Sequence, residues 1–443
     1  MGAFYNCNNL TSVIIPEGVT TIGESAFQNC TGLTNVTIPQ SVISIDDGAF
    51  DSCSALTDIS IPEGVKSIGF YAFQYCSGLA SISLPDSIIS IGDRAFYGTD
   101  YFNNWYENRA QCSVLYIGHH LIKADEWALG KNNISSYTVE SGTKTIADCA
   151  FYYCDSLTEI TIPDSVVSIG DRAFDSCNAL KSITIPKNVA NIGKFAFYTC
   201  FDLERINVDS DNTAYSSESG VLYNKDKTEI IRFPKEKPNT SFVIPNSVTS
   251  IANGTFENCR KLKNISIPNG VESIGNHAFL TCEALTSITI PDGVPRIGEK
   301  TFYGCESMTS VTIPNSVTSI GEYAFNKCNK LKNVNYIGSE TDWVGIDKGT
   351  NYSIPDSIIT YCKGIKAVQL NSGKIAVEPI NTGKGKTVIL ALYNGDKFVD
   401  MQFDIYNGTK ITFETDKAYT RAKAMVWESL ESMIPVCGAK TAE

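Results

Sequence analysis

An aromatic residue returns on a fixed count along most of this chain. Alanine or threonine followed by phenylalanine ends at Phe4, Phe27, Phe50, Phe73 and Phe96, each 23 residues after the last. The count resumes at Phe151, Phe174 and Phe197, and again at Phe256, Phe279, Phe302 and Phe325. A period of this size builds stacked coils, because one unit is too small to cover its own apolar side and must share it with the next. Each unit reads L-x-x-I-x-I-P-x-x-V-x-x-I-G-x-x-A-F-x-x-C-x-x. Leu56, Ile59, Ile61, Pro62, Val65, Ile68, Gly69, Ala72, Phe73 and Cys76 form one copy, and Leu180 to Cys200 another.

The spacing dictates a local path. I-x-I alternates with period two and predicts a short strand with both isoleucines inward. Proline offers no N–H to a ladder and stops the strand. Val and Ile, three apart, then face the same interior. The Ala-Phe pair fills the back of the coil, where one turn of helix is expected. Cysteine follows the Phe by three at Cys7, Cys30, Cys53, Cys76, Cys154, Cys177, Cys200, Cys259, Cys282, Cys305 and Cys328, which is 11 of 15. Free cysteine packs as a small hydrophobe, and no C-x-x-C pair exists, so a buried in-register thiol ladder is expected rather than a metal or redox site. Parallel side-chain vectors also disfavour disulfides between neighbouring coils. Cys112, Cys149, Cys362 and Cys437 lie off the ladder, and the sequence leaves their pairing open.

The whole unit, with its I-P, I-G, A-F and Cys, resembles the BspA-type leucine-rich repeat, the 23-residue class found in bacterial surface proteins. The resemblance covers roughly residues 3–361. It implies an α/β repeat solenoid, curved, with a parallel β-sheet on its concave face, and a part in adhesion to host or neighbouring-cell proteins.

The count breaks twice, over about 98–133 and 209–238. The first break holds Tyr97, Tyr101, Phe102, Trp105 and Tyr106, then runs Ser113–Tyr116 and His120–Lys123 around Gly118. The second holds Gly220–Tyr223 and Glu229–Phe233 around Asn224–Lys227. Both read as hairpins inserted into decorated repeats. Residues 336–361, with Trp343 and Gly345, are expected to close the array, so the solenoid is assigned to 1–362. Its start, two-thirds through a unit and uncapped, suggests that the natural chain continues upstream, where a signal peptide and any anchor are expected. From residue 363 the period is lost. Alternating runs at Lys366–Leu370, Lys374–Glu378, Thr387–Tyr393, Lys397–Phe403, Lys410–Phe413 and Lys423–Trp427, separated by turns such as Asn394-Gly395, predict a small all-β immunoglobulin- or fibronectin-III-like sandwich over 363–443. Its ending resembles terminal modules of secreted Gram-positive gut bacterial proteins.

Little in the chain suits chemistry. The net charge, 36 − 48 = −12, argues against binding nucleic acid, and no apolar run is long enough to insert into a membrane. There are 3 histidines: His119 and His120 flank a hairpin turn, and His277 occupies a variable unit position, so all three read as surface residues. Asp209-x-Asp211-x-Thr213 lacks the glycine and glutamate of a calcium loop and reads as loop capping. Asp46-Asp47 reads as a solvated turn. No hydrolase, zinc-protease or phosphate-loop motif appears, so the chain is not expected to be an enzyme, and no cofactor or metal is expected.

Binding is the better expectation. Residues flanking the inward side chains of each I-x-I form a polar strip: Asn35 and Thr37, Asp58 and Ser60, Ser81 and Ser83, Glu159 and Thr161, Ser182 and Thr184, Arg205 and Asn207. Tyr101, Phe102, Trp105 and Tyr106 form an aromatic patch that reads chiefly as a satellite core beneath a loop and otherwise as a contact surface. The expected function is that of a non-enzymatic secreted or cell-surface bacterial protein. Its expected partner is an extracellular protein of the host matrix or of another cell. The alternative is carbohydrate or cell-wall binding through the aromatic insert or the terminal sandwich.

Overall fold

The computed structural model describes residues 2–361 in full and, beyond them, the backbone of seven strands between residues 365 and 442. The chain divides into two compact units, Met1–Pro238 and Asn239–Glu443.

In the first unit the I-x-I positions form three- and four-residue strands that pair in parallel with no slip. Ser12–Ile14 lies beside Asn35–Thr37, Asp58–Ser60 beside Ser81–Ser83, Ser136–Thr138 beside Glu159–Thr161 and Ser182–Ile185 beside Arg205–Val208. Each coil also makes a second strand that the period does not single out. Thr21–Ile22, Ser44–Ile45, Ser67–Ile68 and Ser90–Ile91 form a four-stranded parallel sheet just before the repeat glycine.

The turn of helix expected at the back does not form. Two residues per coil take left-handed backbone there, for example Tyr71 (φ 59°) with Tyr75 (φ 54°), and Arg172 (φ 51°) with Ser176 (φ 64°). A right-handed helix cannot pass through such residues. The back is instead a string of turns bonded coil to coil, with Phe27 N donating to Ala49 O at 2.7 Å, and Phe50 N to Ala72 O and Phe73 N to Ala95 O at 2.8 Å. The repeat glycine answers to proximity, not to φ. A Cβ at Gly193 would lie 2.3 Å from the backbone nitrogen of Asp171 in the preceding coil.

Two ladders run through the interior. The phenylalanines stack nearly parallel, at 5.1 Å from Phe4 to Phe27, 5.2 Å from Phe27 to Phe50 and from Phe50 to Phe73, and 5.6 Å from Phe73 to Phe96. A second run starts at Phe151 and continues to Phe174 at 5.2 Å and Phe197 at 5.8 Å. The cysteines do more than fill space. Each of several ladder thiols donates to the phenylalanine carbonyl one coil back: Cys53 to Phe27 and Cys177 to Phe151 at 3.1 Å, Cys76 to Phe50 and Cys200 to Phe174 at 3.0 Å. Alanine would fit the volume and leave that buried carbonyl without its S–H donor.

Every cysteine among the described residues is free. The ladder is buried with one correction: Cys7, on the open side of the first coil, is exposed, as is Cys112, while Cys149 is half-buried. Burial pushes the Cys154 and Cys200 thiols up to about 12, so they hold no reactive thiolate near neutral pH. Native iodoacetamide labelling mapped by mass spectrometry should therefore modify Cys7 and Cys112 first and Cys149 more slowly. The buried ladder should react only once denaturant is added, and rapid native labelling of Cys53 or Cys177 is the result that contradicts it.

The first interruption folds as helix α1 (Asp100–Asn108), a hairpin of Val114–Ile117 and His120–Ala124, and helix α2 (Glu126–Lys131). Thr99 caps α1 by accepting from Phe102 N at 3.1 Å, and Asp125 caps α2 by accepting from Ala128 N at 2.8 Å. The second interruption carries three antiparallel strands where two were expected, Tyr215–Glu218 joining Val221–Asn224 and Glu229–Arg232.

In the second unit Ser241–Val243 pairs in parallel with Asn264–Ser266. Ser287–Thr289, Ser310–Pro314, Asn333–Ile337 and Ile359–Tyr361 make a parallel sheet. Helix α3 (Glu340–Val344), closed by a Ser339–Asp342 capping box, buries Trp343 against Tyr336 with ring centres 5.2 Å apart. Farther on, Ile365–Asn371, Lys374–Pro379 and Ile411–Glu414 form one antiparallel sheet. Lys397–Ile405, Thr387–Asn394, Arg421–Trp427 and Lys440–Ala442 form another. Whether these sheets face each other as a sandwich lies outside the described residues, as do Cys362 and Cys437.

Candidate functional site

Two surfaces of the first unit qualify. The strip is laid out by strand register: Ser182 stands opposite Arg205 and Thr184 opposite Asn207, Asp58 opposite Ser81 and Ser60 opposite Ser83. Glu159 and Thr161 pair with Ser136 and Thr138, and Asn35 and Thr37 with Ser12 and Ile14. All twelve named strip residues are exposed except Ser182, which is half-buried. Ile14, 78 % exposed, adds an apolar end that the polar reading omits.

The second surface is a cleft that no sequence motif marks. The inserted strand His120–Ala124 pairs with Thr145–Ile146, and Ala124 N donates to Ala150 O at 2.7 Å, the bond that the Phe96 coil would otherwise make. The hairpin thus wedges into the back of the stack. On the other side of the coil the stack stays closed, since Asp148 N donates to Ile91 O at 2.9 Å. The split opens a cleft of about 570 Å³ between Arg94–Tyr97 on one wall and Lys123, Cys149 and Tyr152 on the other, roofed by α1.

The aromatic patch divides across this cleft. Trp105 is buried, with Nε1 donating to Cys112 O at 2.8 Å, and Tyr101 donates to Tyr116 O at 3.0 Å. Phe102 packs on Tyr97 at 5.2 Å and on Trp105 at 5.3 Å. Only Tyr106 of the four is exposed, and the Arg109 guanidinium lies 3.7 Å above its ring. Exposed aromatics nearby, Phe70, Tyr71, Tyr75, Tyr97 and Tyr153, come from the turns of the back. Because those positions vary from unit to unit, the period carries no hint of them.

The charges around the cleft are unequally satisfied. Arg94 lies 3.8 Å from Asp93, Arg172 3.6 Å from Asp175, and Lys123 donates to Cys149 O at 3.0 Å. Asp148 is 8 % exposed, and among the described residues no ion pair involves it. Its Oδ1 accepts from Asp171 N at 2.7 Å, as Asp47 does from Phe70 N at 2.8 Å and Asp171 from Lys194 N at 2.7 Å. Asp47 is therefore a coil-to-coil cap rather than only a solvated turn residue. Burial, with Asp171 and Asp93 nearby, pushes the Asp148 carboxyl up to about 7.

The remaining candidates are structural. His119 pairs with Asp86 at 2.6 Å on the surface, whereas His120, expected there too, is fully buried. The hairpin makes the split: His119 lies in its turn, and His120 opens the strand that is buried against the stack. His120 Nε2 lies 2.9 Å from Pro85 O, and its Nδ1 is buried without a partner. Burial holds its basicity below the usual histidine value. Its contribution to stability is thus complete above the unfolded value of about 6.5 and is lost as pH falls towards the lower folded value. Asp148 acts oppositely, costing stability as pH rises from about 4 to about 7. The His120 contribution is read by difference: urea unfolding at about pH 5 and pH 8 should show a smaller acid loss in His120→Gln than in the parent. Equal losses would contradict the burial argument.

At the Asp209 loop, Asp209 Oδ1 accepts from Asp211 N at 2.9 Å. The buried Asn212 donates to Pro186 O at 2.7 Å and Val189 O at 2.9 Å. Asn212 organises the loop, and it was not singled out by the sequence. Among the described residues no three His, Cys, Asp or Glu side chains are grouped to hold a metal ion, and no helix is long and apolar enough to cross a membrane.

Residues 1–126, 122–239 and 232–345 match the family described as BspA type Leucine rich repeat region. A leucine rich cell surface protein from Faecalibacterium prausnitzii is 32 % identical, with 76 % of this chain and 90 % of that chain covered and a TM-score of 0.44. A leucine-rich repeat protein from Bacteroides ovatus is 27 % identical over 80 % of this chain and 92 % of that one, with a TM-score of 0.31. The pneumococcal vaccine antigen PcpA is 21 % identical over 80 % and 84 %, with a TM-score of 0.44. No match was found among curated proteins.

Proposed function

This chain belongs to the BspA-type leucine-rich repeat family, and from that premise we propose that it is a non-enzymatic binding protein of a bacterial surface that recognises other proteins through its solenoid. The observation that carries the reading is the strip: two rows of exposed hydroxyl, amide and charged side chains held on parallel strands in strict register. Such a surface presents a fixed geometry at little ordering cost when a partner docks. Its expected partner is an extracellular protein of the host matrix or of another cell, and the likeness to a Faecalibacterium cell surface protein supports that location. We read residues 363–443 as a separate terminal module.

The test is biolayer interferometry of the full chain against a panel of matrix and bacterial surface proteins. At least one should bind, and Ser60→Arg with Ser83→Arg, which place bulk and charge on adjacent strands, should weaken it about ten-fold or more. Binding that ignores the double variant removes the strip from the proposal, and silence across the panel removes the proposal.

A second reading, glycan binding, is favoured by the exposed Tyr97 and Tyr106 beside the cleft. A glycan array probed with Tyr106→Ala tests it without disturbing the buried Trp105. Signal lost in the variant supports it, and a blank array counts against it.

A further inference from the structure

On the back of the stack each coil ties itself to the next through N–H groups on alternate residues. In the Phe73 coil Tyr71 N donates to Asp93 O at 3.2 Å, and Phe73 N to Ala95 O and Tyr75 N to Tyr97 O at 2.8 Å. In the Phe151 coil Cys149 N donates to Asp171 O at 2.9 Å, Phe151 N to Ala173 O at 2.7 Å and Tyr153 N to Asp175 O at 3.1 Å. The Phe96 coil comes between these two, and its equivalent donors are Arg94 N, Phe96 N and Gly98 N. In an unbroken stack they would meet Asp148 O, Ala150 O and Tyr152 O. The inserted strand takes Ala150 O through Ala124 N, and the ladder on either side of that bond stays open. Among the described residues no hydrogen bond engages Arg94 N, Phe96 N, Asp148 O or Tyr152 O.

All four of these residues line the cleft, Arg94 and Phe96 on one wall and Asp148 and Tyr152 on the other. Main-chain groups left unpaired inside a fold are uncommon, because each forfeits a hydrogen bond that folding normally replaces. The side chains around them argue against a strongly charged ligand, since Arg94, Lys123 and Arg172 share the lining with Asp93, Glu126 and Asp148. The rim is aromatic: Phe70, Tyr71, Tyr97 and Tyr106 line it too, each between 39 % and 46 % exposed. A ligand for this cleft therefore has to offer acceptors to one wall and donors to the other, without net charge and beside aromatic rings. A peptide main chain does this by construction, because successive residues of an extended segment turn their carbonyl and amide groups to opposite sides.

We propose that the cleft takes a short, uncharged, extended segment of a partner protein, which joins the open ladder through main-chain hydrogen bonds. The proposal rests on the protein-binding reading and gives that partner a second anchor, on the back of the stack. Carbonyls of the segment accept from Arg94 N and Phe96 N, and a residue between them donates to Asp148 O or Tyr152 O. Phe96 has no exposed surface, so its bond forms as the end of the inserted hairpin gives way to the entering chain. Arg94 (φ 55°) and Cys149 (φ 56°) are left-handed on the two walls, so the path bends where a flat strand would run straight. Strand addition of this kind draws affinity from the main chain and selectivity from what flanks it, here the rings of Tyr97 and Tyr106.

The test is a phage-displayed library of random heptapeptides panned on the full chain and counter-selected on Cys149→Phe. Phenylalanine already holds the same left-handed position at Phe195 (φ 57°), so the variant keeps the backbone while filling the cleft. Enriched peptides, capped and fluorescently labelled, should bind the parent and lose about ten-fold or more with Cys149→Phe in fluorescence polarisation. Ser60→Arg with Ser83→Arg, on the strip, should change the same peptides less than about two-fold. Methylating the peptide's amide nitrogens one at a time should cost about three-fold or more at alternate residues and little between them. Bound peptide should also slow iodoacetamide at Cys149 and leave Cys7 and Cys112 unchanged, a readout that needs no folded variant. No enrichment, no protection of Cys149, or indifference to amide methylation overturns the proposal. Maltotriose that protects Cys149 as well as the peptide does would make this a glycan site and overturns the peptide assignment. A panel protein that binds the parent while ignoring both Cys149→Phe and excess peptide removes the cleft and leaves the protein-binding reading standing. Peptide protection of Cys149 with a silent panel does the reverse.

Discussion

Phe50→Ala should cost about 3–5 kcal/mol, the range for deleting a fully buried aromatic ring that its surroundings cannot replace. Phe50 has no exposed surface, and rings press it from both sides at 5.2 Å. The backbone bonds on either side of it are fixed, so the void cannot close by collapse. Two interfaces are lost at once, since each coil is stabilised only by its neighbours. The unfolding curve should therefore broaden or split, with coils on the two sides of residue 50 no longer melting together. Phe4→Ala, at a ring 45 % exposed and covered on one side, should cost less than about 1 kcal/mol. Urea unfolding followed by hydrogen exchange separates these outcomes. A sharp single transition shifted by under about 1 kcal/mol in Phe50→Ala would show that the ladder does not couple the coils.

Gly193→Ala should be nearly as damaging, although it adds one methyl group to a residue with ordinary φ. The new Cβ would sit 2.3 Å from Asp171 N and 2.4 Å from Gly170 C, both backbone atoms held by coil-to-coil bonds. Relief requires neighbouring coils to separate, at a cost of about 3 kcal/mol or more. Gly23 occupies the same motif position in the first coil, where an added Cβ meets nothing within 4 Å. Gly23→Ala should be neutral or stabilising by up to about 1 kcal/mol, because alanine narrows the unfolded ensemble. Thermal melts of the two variants decide the matter. Similar losses in both would mean that the glycine serves conformation and not proximity.

The interior was legible because it repeats. Phenylalanine, cysteine and the I-x-I pair each face a copy of themselves, so one unit states the environment of all. The second strand was missed because Ser-Ile is too short for alternation to register. The back turns were misread as helix because left-handed tyrosine, arginine and serine hold these positions in many coils, and glycine marks them in only some, as at Gly48, Gly98, Gly254 and Gly304. The strip could be read from alternation alone. The cleft could not, since it arises from where an insertion re-enters the stack, and Asp148 looks like every other turn aspartate until its surroundings are seen. His120 was placed outside for lack of the hairpin's facing.

The coil-to-coil bonds have a bearing on how such a chain can evolve. Nearly every link described here reaches one unit forward or back, and the stack closes from Asp148 to Ile91 across 55 residues of separation between Phe96 and Phe151. A gene slipping by whole multiples of 23 codons would thus lengthen or shorten the array while preserving each bond type. Insertions survive wherever the chain returns to the same register. Under that arithmetic the number of strands bearing the exposed strip, and with it the area open to a partner, becomes a heritable count rather than a redesigned surface.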